Sequence, residues 1–268
     1  MHYPERMPLS APSPIGRLLR EWRATRGASQ LDLALHAGVS ARHLSFVETG
    51  RATPSREMVL LLARALDLPL RERNVLLGAA GYAPKFSETP LEAPSMQPLR
   101  KALEAILRAH DRSPTVVVNR RCDVLLSNAA AQRFAAFLLP PESLPLAANV
   151  VRMIFSPDGA RPFVENWDEV ASEIAFRLRR ESPSDAEDPL RTILGPDIEL
   201  PSLRSQPNEP SLTMPLRIKK GAVRLELFTT ITTFGTPLDV TAQELRVESL
   251  FPVDADSEQQ LDAILRGR

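Results

Sequence analysis

A chain of 268 residues with 43% hydrophobic and 25% charged content is globular and long enough for two domains, and no apolar run reaches the roughly 18 residues that span a membrane. Net charge is zero but unevenly spread: residues 1–85 carry 12 Lys and Arg against 7 Asp and Glu, and the remainder carries 21 against 26. That suits a polyanionic partner for the first third only, while the single cysteine, Cys122, excludes an internal disulfide and the absence of an apolar core behind Met1–Arg6 leaves the cytoplasm as the expected compartment.

Residues 1–13 are Pro-rich and expected to fray. Ile15, Leu18, Leu19 and Trp22 then recur at helical spacing, and Gly27 ends that helix. Ser29 and Asp32 form a capping-box pattern for a second helix, whose buried face is predicted as Leu31, Ala34 and Leu35. Gly38 supplies a positive φ at the turn, Val39 points inward, and Ser40 caps a third helix with Leu44 and Val47 inside. Gly50 stops it. Pro54-Ser55 opens a fourth helix with Met58, Leu61, Leu62, Ala65 and Leu66 as its apolar set. A fifth runs from Leu70 to Ala80 and ends at Gly81.

Pro84, Pro90, Pro94 and Pro98 mark residues 83–98 as an extended linker. One more helix, Leu99 to Ala109, precedes two strands, Pro114–Asn119 and Val124–Ser127, joined by a turn at residues 120–123. Asn128 caps a helix to Leu139, and Asn166–Arg180 is a helix with Val170, Ile174 and Leu178 on one stripe. Residues 215–219, 223–234 and 245–251 are strand-like. This order predicts a multi-domain chain: an all-α five-helix domain over 14–82, then an α+β domain over 99–268 with an antiparallel sheet and helices on one face.

Two short helices around the Gly38 turn have the geometry of a helix-turn-helix, whose second helix lies in the DNA major groove. Gln30 opens the first of them, where its backbone N–H and amide are placed for a phosphate oxygen. Ser40, Ala41, Arg42, His43 and Ser45 lie on or near the outward face of the second. Arg42 suits either a guanine edge or a phosphate, and Ala41 a thymine methyl. Thr49, Arg51 and Thr53 follow and face the DNA backbone. Phe46 packs in the domain core or stacks against DNA, with the core preferred. Arg23 and Glu48 are read as a partly buried ion pair locking the first helix to the third.

Catalytic patterns are missing from the sequence. His2, His36, His43 and His110 lack metal-ligand spacing, and no phosphate-binding Gly loop or Gly-x-Ser-x-Gly elbow occurs. With few lysines (Lys85, Lys101, Lys219, Lys220), a self-cleaving Ser–Lys dyad is not expected. The expectation is a DNA-binding regulator without a metal or catalytic cofactor. An interaction module on a helix-turn-helix fold, or an enzyme regulating its own gene, are the alternatives. In the second domain Phe134, Phe137, Met153, Phe155, Trp167, Ile174, Phe228 and Phe234 are candidates to line an apolar cavity, with Asn119, Asn128, Arg152, Arg161 and Asn166 as polar partners.

Residues 14–82 resemble the lambda-repressor-like, xenobiotic-response-element class of helix-turn-helix regulators, through Ser29-Gln30-Leu31, Ala34, Gly38-Val39-Ser40, Leu44, Glu48-Thr49-Gly50-Arg51 and Pro54. Ser40–Arg51, Arg71–Pro84, Val118-Asn119-Arg120, Ser127–Ala130, Asn166-Trp167 and Phe234–Thr241 are similar to the MmyB-like regulators. In that family an Asp often stands where this chain has Asn119. The resemblance implies a PAS-like C-terminal domain that binds a small apolar, fatty-acid-like molecule, a homodimer, and a pseudo-palindromic DNA operator as partner.

Overall fold

A computed structural model describes residues 13–181, 188–196, 198, 215–235 and 237–267. Residues 1–12, expected to fray, and Thr236 of the Phe234–Thr241 motif lie outside the described residues. The chain divides into two units. One ends at Glu88 and takes in Leu238–Val240; the other begins at Thr89.

The first unit is five helices: α1 (Pro14–Thr25), α2 (Gln30–Ala37), α3 (Ala41–Glu48), α4 (Arg56–Ala65) and α5 (Leu70–Ala79). Local chemistry sets their ends. The Ser29 hydroxyl accepts from the Asp32 N–H, and the Asp32 carboxylate accepts from the Ser29 N–H at 2.9 Å. Ser40 and Ser55 cap α3 and α4 with the hydroxyl alone, accepting from the His43 and Met58 N–H groups. Such caps are each worth about 1 kcal/mol. Gly38 turns the chain between α2 and α3 at φ 64°, ψ 31°, a left-handed conformation that only glycine adopts without strain.

The core gathers Ile15, Leu18, Leu19, Trp22, Leu33, Leu44, Val47, Val59, Leu62, Leu76 and Leu77 around one centre. Two stripes differ from expectation. On α2 the buried residues are Leu33, Ala34 and Ala37, while Leu31 and Leu35 are 58% and 71% exposed. An eight-residue helix offers two leucine stripes, and the one with small Ala34 and Ala37 lets α3 and α4 pack closer. On α4 the stripe is Val59, Leu62, Ala63 and Leu66, with Met58 and Ala65 half-buried and Leu61 42% exposed. Residues past α5 fold back on it: the Asn74 amide donates to the Phe86 carbonyl at 2.8 Å and accepts from the Lys85 and Phe86 N–H groups.

The second unit opens with Leu91 buried, a 3-10 turn at Pro94–Met96 and α6 (Gln97–Ala109). Next come β1 (Thr115–Val118), β2 (Val124–Ser127), α7 (Ala129–Leu138), α8 (Val150–Phe155), α9 (Trp167–Glu181), α10 (Pro189–Leu194), β3 (Pro215–Lys220), β4 (Val223–Thr232), α11 (Val240–Glu244), β5 (Arg246–Pro252) and α12 (Ala255–Leu265). The strands form one antiparallel sheet in the order β2-β1-β5-β4-β3. This is the α+β domain the strand and helix order predicts.

Helices cover both faces of the sheet rather than one. Side chains alternate across it, so each strand contributes to two cores. Val117 and Val247 pair across β1 and β5 and pack with Leu103 and Leu107 of α6, and with Leu91 and Leu245. On the opposite face Leu216, Ile218, Leu225 and Leu227 pack with α7–α10 and with Leu261 and Leu265 of α12. No helix among the described residues is long and apolar enough to cross a membrane.

Candidate nucleic-acid interface and internal cavity

The inner side of α3 is held by a polar lock. Arg23 Nε and Nη2 donate to the two Glu48 carboxylate oxygens at 2.7 and 3.0 Å, while Nη1 donates to the Ala28 carbonyl at 2.9 Å. Glu48 is 2% exposed. The hydrogen bond to its carboxylate raises the Arg23 guanidinium above its ordinary pKa, against the opposing pull of burial. Arg20, which the sequence reading passed over, donates to the Glu48 backbone carbonyl at the end of α3. Gly16 completes the contact: a Cβ there would collide with that same carbonyl oxygen, so α1 meets the α3 backbone directly.

Gln30 belongs to this lock. Its Nε2 donates to Glu48 Oε2 at 3.0 Å, which takes one of the two amide N–H groups expected at a phosphate. At the N-terminus of α2 the Ser29–Asp32 box engages the Ser29 and Asp32 backbone N–H groups. Hydrogen bonds from the Ser29 hydroxyl, then from its backbone, hold the Asp32 carboxyl below the usual carboxylate range.

The outer side of α3 is different. Ser40, Arg42, Thr49 and Arg51 are exposed, and Ala41, His43 and Ser45 are half-buried. The Ser40 hydroxyl accepts from the His43 N–H at 3.2 Å, and the Thr49 hydroxyl donates to the Ser45 carbonyl at 2.7 Å. The Arg42 and Arg51 side chains have no hydrogen bond or ion pair among the described residues; the Arg42 guanidinium lies 5.4 Å from the centre of the Phe46 ring. Phe46 is half-buried and outside the core cluster, so its preferred core role gives way to a platform beneath Arg42. Other arginines of the basic third are internal fasteners. Arg26 donates to the Leu66 and Asp67 carbonyls, Arg73 to the Leu68 carbonyl, and Arg71 pairs with Glu88. Arg42 and Arg51 thus stand as untied cations on the solvent side of α3, and Arg56 and Arg64 of α4 are exposed in the same way.

The second unit holds a partly open cavity of about 190 Å³ between the sheet and α7, α8 and α9. Val116, Glu248, Leu250 and Thr229 supply its sheet wall. Phe134, Met153 and Ile174, expected at such a site, line it. The other five candidates lie elsewhere. Phe155 is fully buried in the helical core, with Trp167 edge-on at 5.7 Å. Phe137 is half-buried, with Lys220 over its ring. Phe228 stacks on Phe251 at 5.5 Å on the sheet face opposite Thr229, and Phe234 joins the α6 cluster. For Phe228, strand parity decides: Leu225, Leu227 and Thr229 take the cavity face, which leaves Phe228 on the other.

The five polar candidates are structural. Asn119 closes its own turn by accepting from the Arg121 and Asp123 N–H groups. Asn128 caps α7 and bonds the Thr115 N–H and the His110 and Ser113 carbonyls. Asn166 grips β3 through the Pro215 carbonyl and the Arg217 N–H. Arg152 donates to the Ile193 carbonyl, and Arg161 stacks on Trp167 at 4.1 Å.

The charged groups at the cavity are ones the sequence reading missed, Arg177 and Glu248. Arg177 Nη1 lies 3.2 Å from Glu248 Oε1, with side-chain exposures of 21% and 10%. The spacing Val170, Ile174, Arg177 was the available signal, because it sets an arginine on the buried stripe of α9. Among the described residues no cluster of three or more His, Cys, Asp or Glu is placed to hold a metal ion.

A family model described as the MmyB-like transcription regulator ligand binding domain matches residues 99–264, and a helix-turn-helix domain model matches residues 14–76. An uncharacterized HTH-type transcriptional regulator of Bacillus subtilis strain 168, RghRB, is 37% identical over 82 residues. That alignment covers 30% of this chain and 57% of that protein, little more than half its length.

Proposed function

We propose that this chain, which belongs to the family defined by the MmyB-like transcription regulator ligand binding domain, is a transcription regulator that reads DNA with α3 and answers to an apolar ligand in its second unit. The carrying observation is the contrast between the two sides of α3. Arg20, Arg23, Gln30 and Gly16 fix its inner side, and Arg42 and Arg51 project unpaired from its outer side. A helix held rigidly from behind with free cations in front is suited to the major groove. Arg42, backed by the Phe46 ring, is assigned a base edge; Arg51, beyond the end of the helix, is assigned a phosphate.

In this reading the protein acts in the cytoplasm as a homodimer, whose two copies of α3 meet half-sites about 34 Å apart on a pseudo-palindromic operator. The apolar cavity supplies the input. A ligand that fits one dimer geometry better shifts the population toward it and changes operator affinity.

Selection of bound genomic fragments at two salt concentrations tests the DNA half. An operator preferred by about a thousandfold over random DNA is expected. Arg51→Ala is expected to weaken binding to all sequences and lower the salt slope by about 1, whereas Arg42→Ala costs about 1–3 kcal/mol on the operator and relaxes preference at one base pair. Binding that never exceeds that to random DNA refutes the proposal.

A further inference from the structure

Arg177 and Glu248 are anomalous in a cavity otherwise walled mainly by carbon. Their contact has the distance of an ion pair but not the alignment of a hydrogen bond, and both Arg177 Nε and Glu248 Oε1 are buried without a hydrogen-bond partner. Glu248 is 8% exposed and stands on β5 between neighbours β1 and β4, at the centre of the sheet wall. Buried polar atoms are almost always hydrogen-bonded, so two unsatisfied atoms in one pair bordering a void need an explanation.

We infer that the cavity takes an uncharged amphiphile, an apolar body ending in a hydroxyl or primary amide, whose head sits between Arg177 and Glu248. The inference rests on the ligand-binding reading of the cavity given above. Such a head donates to the carboxylate and accepts from the guanidinium, so it completes the hydrogen bonding of both and leaves their charges paired. A carboxylate head does the reverse. It competes for Arg177, sets a second negative charge beside Glu248, and strips a buried acid of its counter-ion. A hydrocarbon end leaves the pair as unsatisfied as before. Ser127, Gln132 and Thr229 also border the cavity. They are neutral, so none offers a carboxylate a second cation.

Calorimetric titration of the full-length protein at about pH 8, where a carboxylic acid is ionised, separates the possibilities. The probes are octanol, octanamide, octanoate and octane, which differ only at the head. Octanol and octanamide are expected to bind about 10- to 100-fold tighter than octane, with octanoate no better than octane. Glu248→Gln leaves Arg177 as an unpaired cation and is expected to reverse the order, so that octanoate becomes the tightest ligand. If that variant fails to fold, the series on the unaltered protein decides alone. Equal affinity for all four, the pattern of a pair that keeps its own water, overturns the inference while the ligand-binding reading stands. So does octanoate binding tightest to the unaltered protein. Binding by none of the four overturns the ligand-binding reading itself, and the inference falls with it.

Discussion

Replacing Arg23 with alanine tests how α3 is anchored. The change deletes two hydrogen bonds, of 2.7 and 3.0 Å, from a carboxylate that is 2% exposed, and leaves Glu48 only the Gln30 amide. Removing one partner of a buried pair costs about 3–5 kcal/mol, and the 16% exposure of the Arg23 side chain argues for the lower end, about 3 kcal/mol. A single core of this size supplies only about 3–5 kcal/mol in total, so Arg23→Ala should bring the first unit close to its unfolding midpoint without denaturant. The chain has two tryptophans, Trp22 in the core of the first unit and Trp167 in the second. In a Trp167→Phe background, Trp22 fluorescence during urea unfolding therefore reports the first unit alone. The companion variant Arg23→Met with Glu48→Met removes both charges, and should recover most of the loss because no uncompensated charge is left. An unchanged midpoint for Arg23→Ala, or a double variant no more stable than the single, would refute the reasoning.

Three further outcomes follow from the same geometry. Gly16→Ala pushes a methyl group into the Glu48 carbonyl and should cost at least about 1–3 kcal/mol in thermal unfolding. Gly78→Ala, on α5 with nothing within 4 Å of the added carbon, should stabilise by about 0.5–1 kcal/mol; a loss there would contradict the open space seen around it. Asp32, whose pKa is lowered in the folded state, contributes stability that is present above the ordinary carboxylate range and lost as pH falls through its folded value. Wild type and Asp32→Asn should then differ in unfolding midpoint at about pH 5 and converge toward about pH 2. A difference that persists undiminished at the acid end would mean that the carboxylate charge is not what the box uses.

Helix ends in the first unit were legible because capping is local: Ser29, Asp32, Gly38, Ser40 and Ser55 act on atoms within a few residues of themselves. Rotation of short helices was less so. On α2 either leucine stripe satisfies the periodicity, and the choice of Leu33 over Leu31 depends on how closely α3 and α4 approach. The Arg23–Glu48 pair was readable from the sequence pattern, whereas Gln30 as its third member and Arg20 as its neighbour arise only when α1, α2 and α3 meet. In the second unit α8, α10, α11 and α12 escaped notice. The first three have six residues or fewer, too short for periodicity to register, and α12 needs Leu261 and Leu265 read against α7, more than a hundred residues earlier, as well as against the sheet. Aromatic size was a poor guide to the cavity, because Phe155 and Trp167 fill space that the fold closes, while Glu248 is set at the wall by strand parity.

The two sides of α3 also bear on how such a protein can change over generations. The residues that hold the helix in place, Leu44, Val47 and Glu48, are buried, and the outward side chains of Arg42 and Arg51 make no hydrogen bond or ion pair within the described protein. Substitutions on the outer side are therefore nearly free of stability cost, typically within about 0.5 kcal/mol. With α3 in the DNA-reading role proposed above, a duplicated copy of this gene can drift to a new operator one outward residue at a time while its fold is left undisturbed. Arg42 is the partial exception, since a successor there inherits the half-buried Phe46 ring and must either cover its open face or leave it to water.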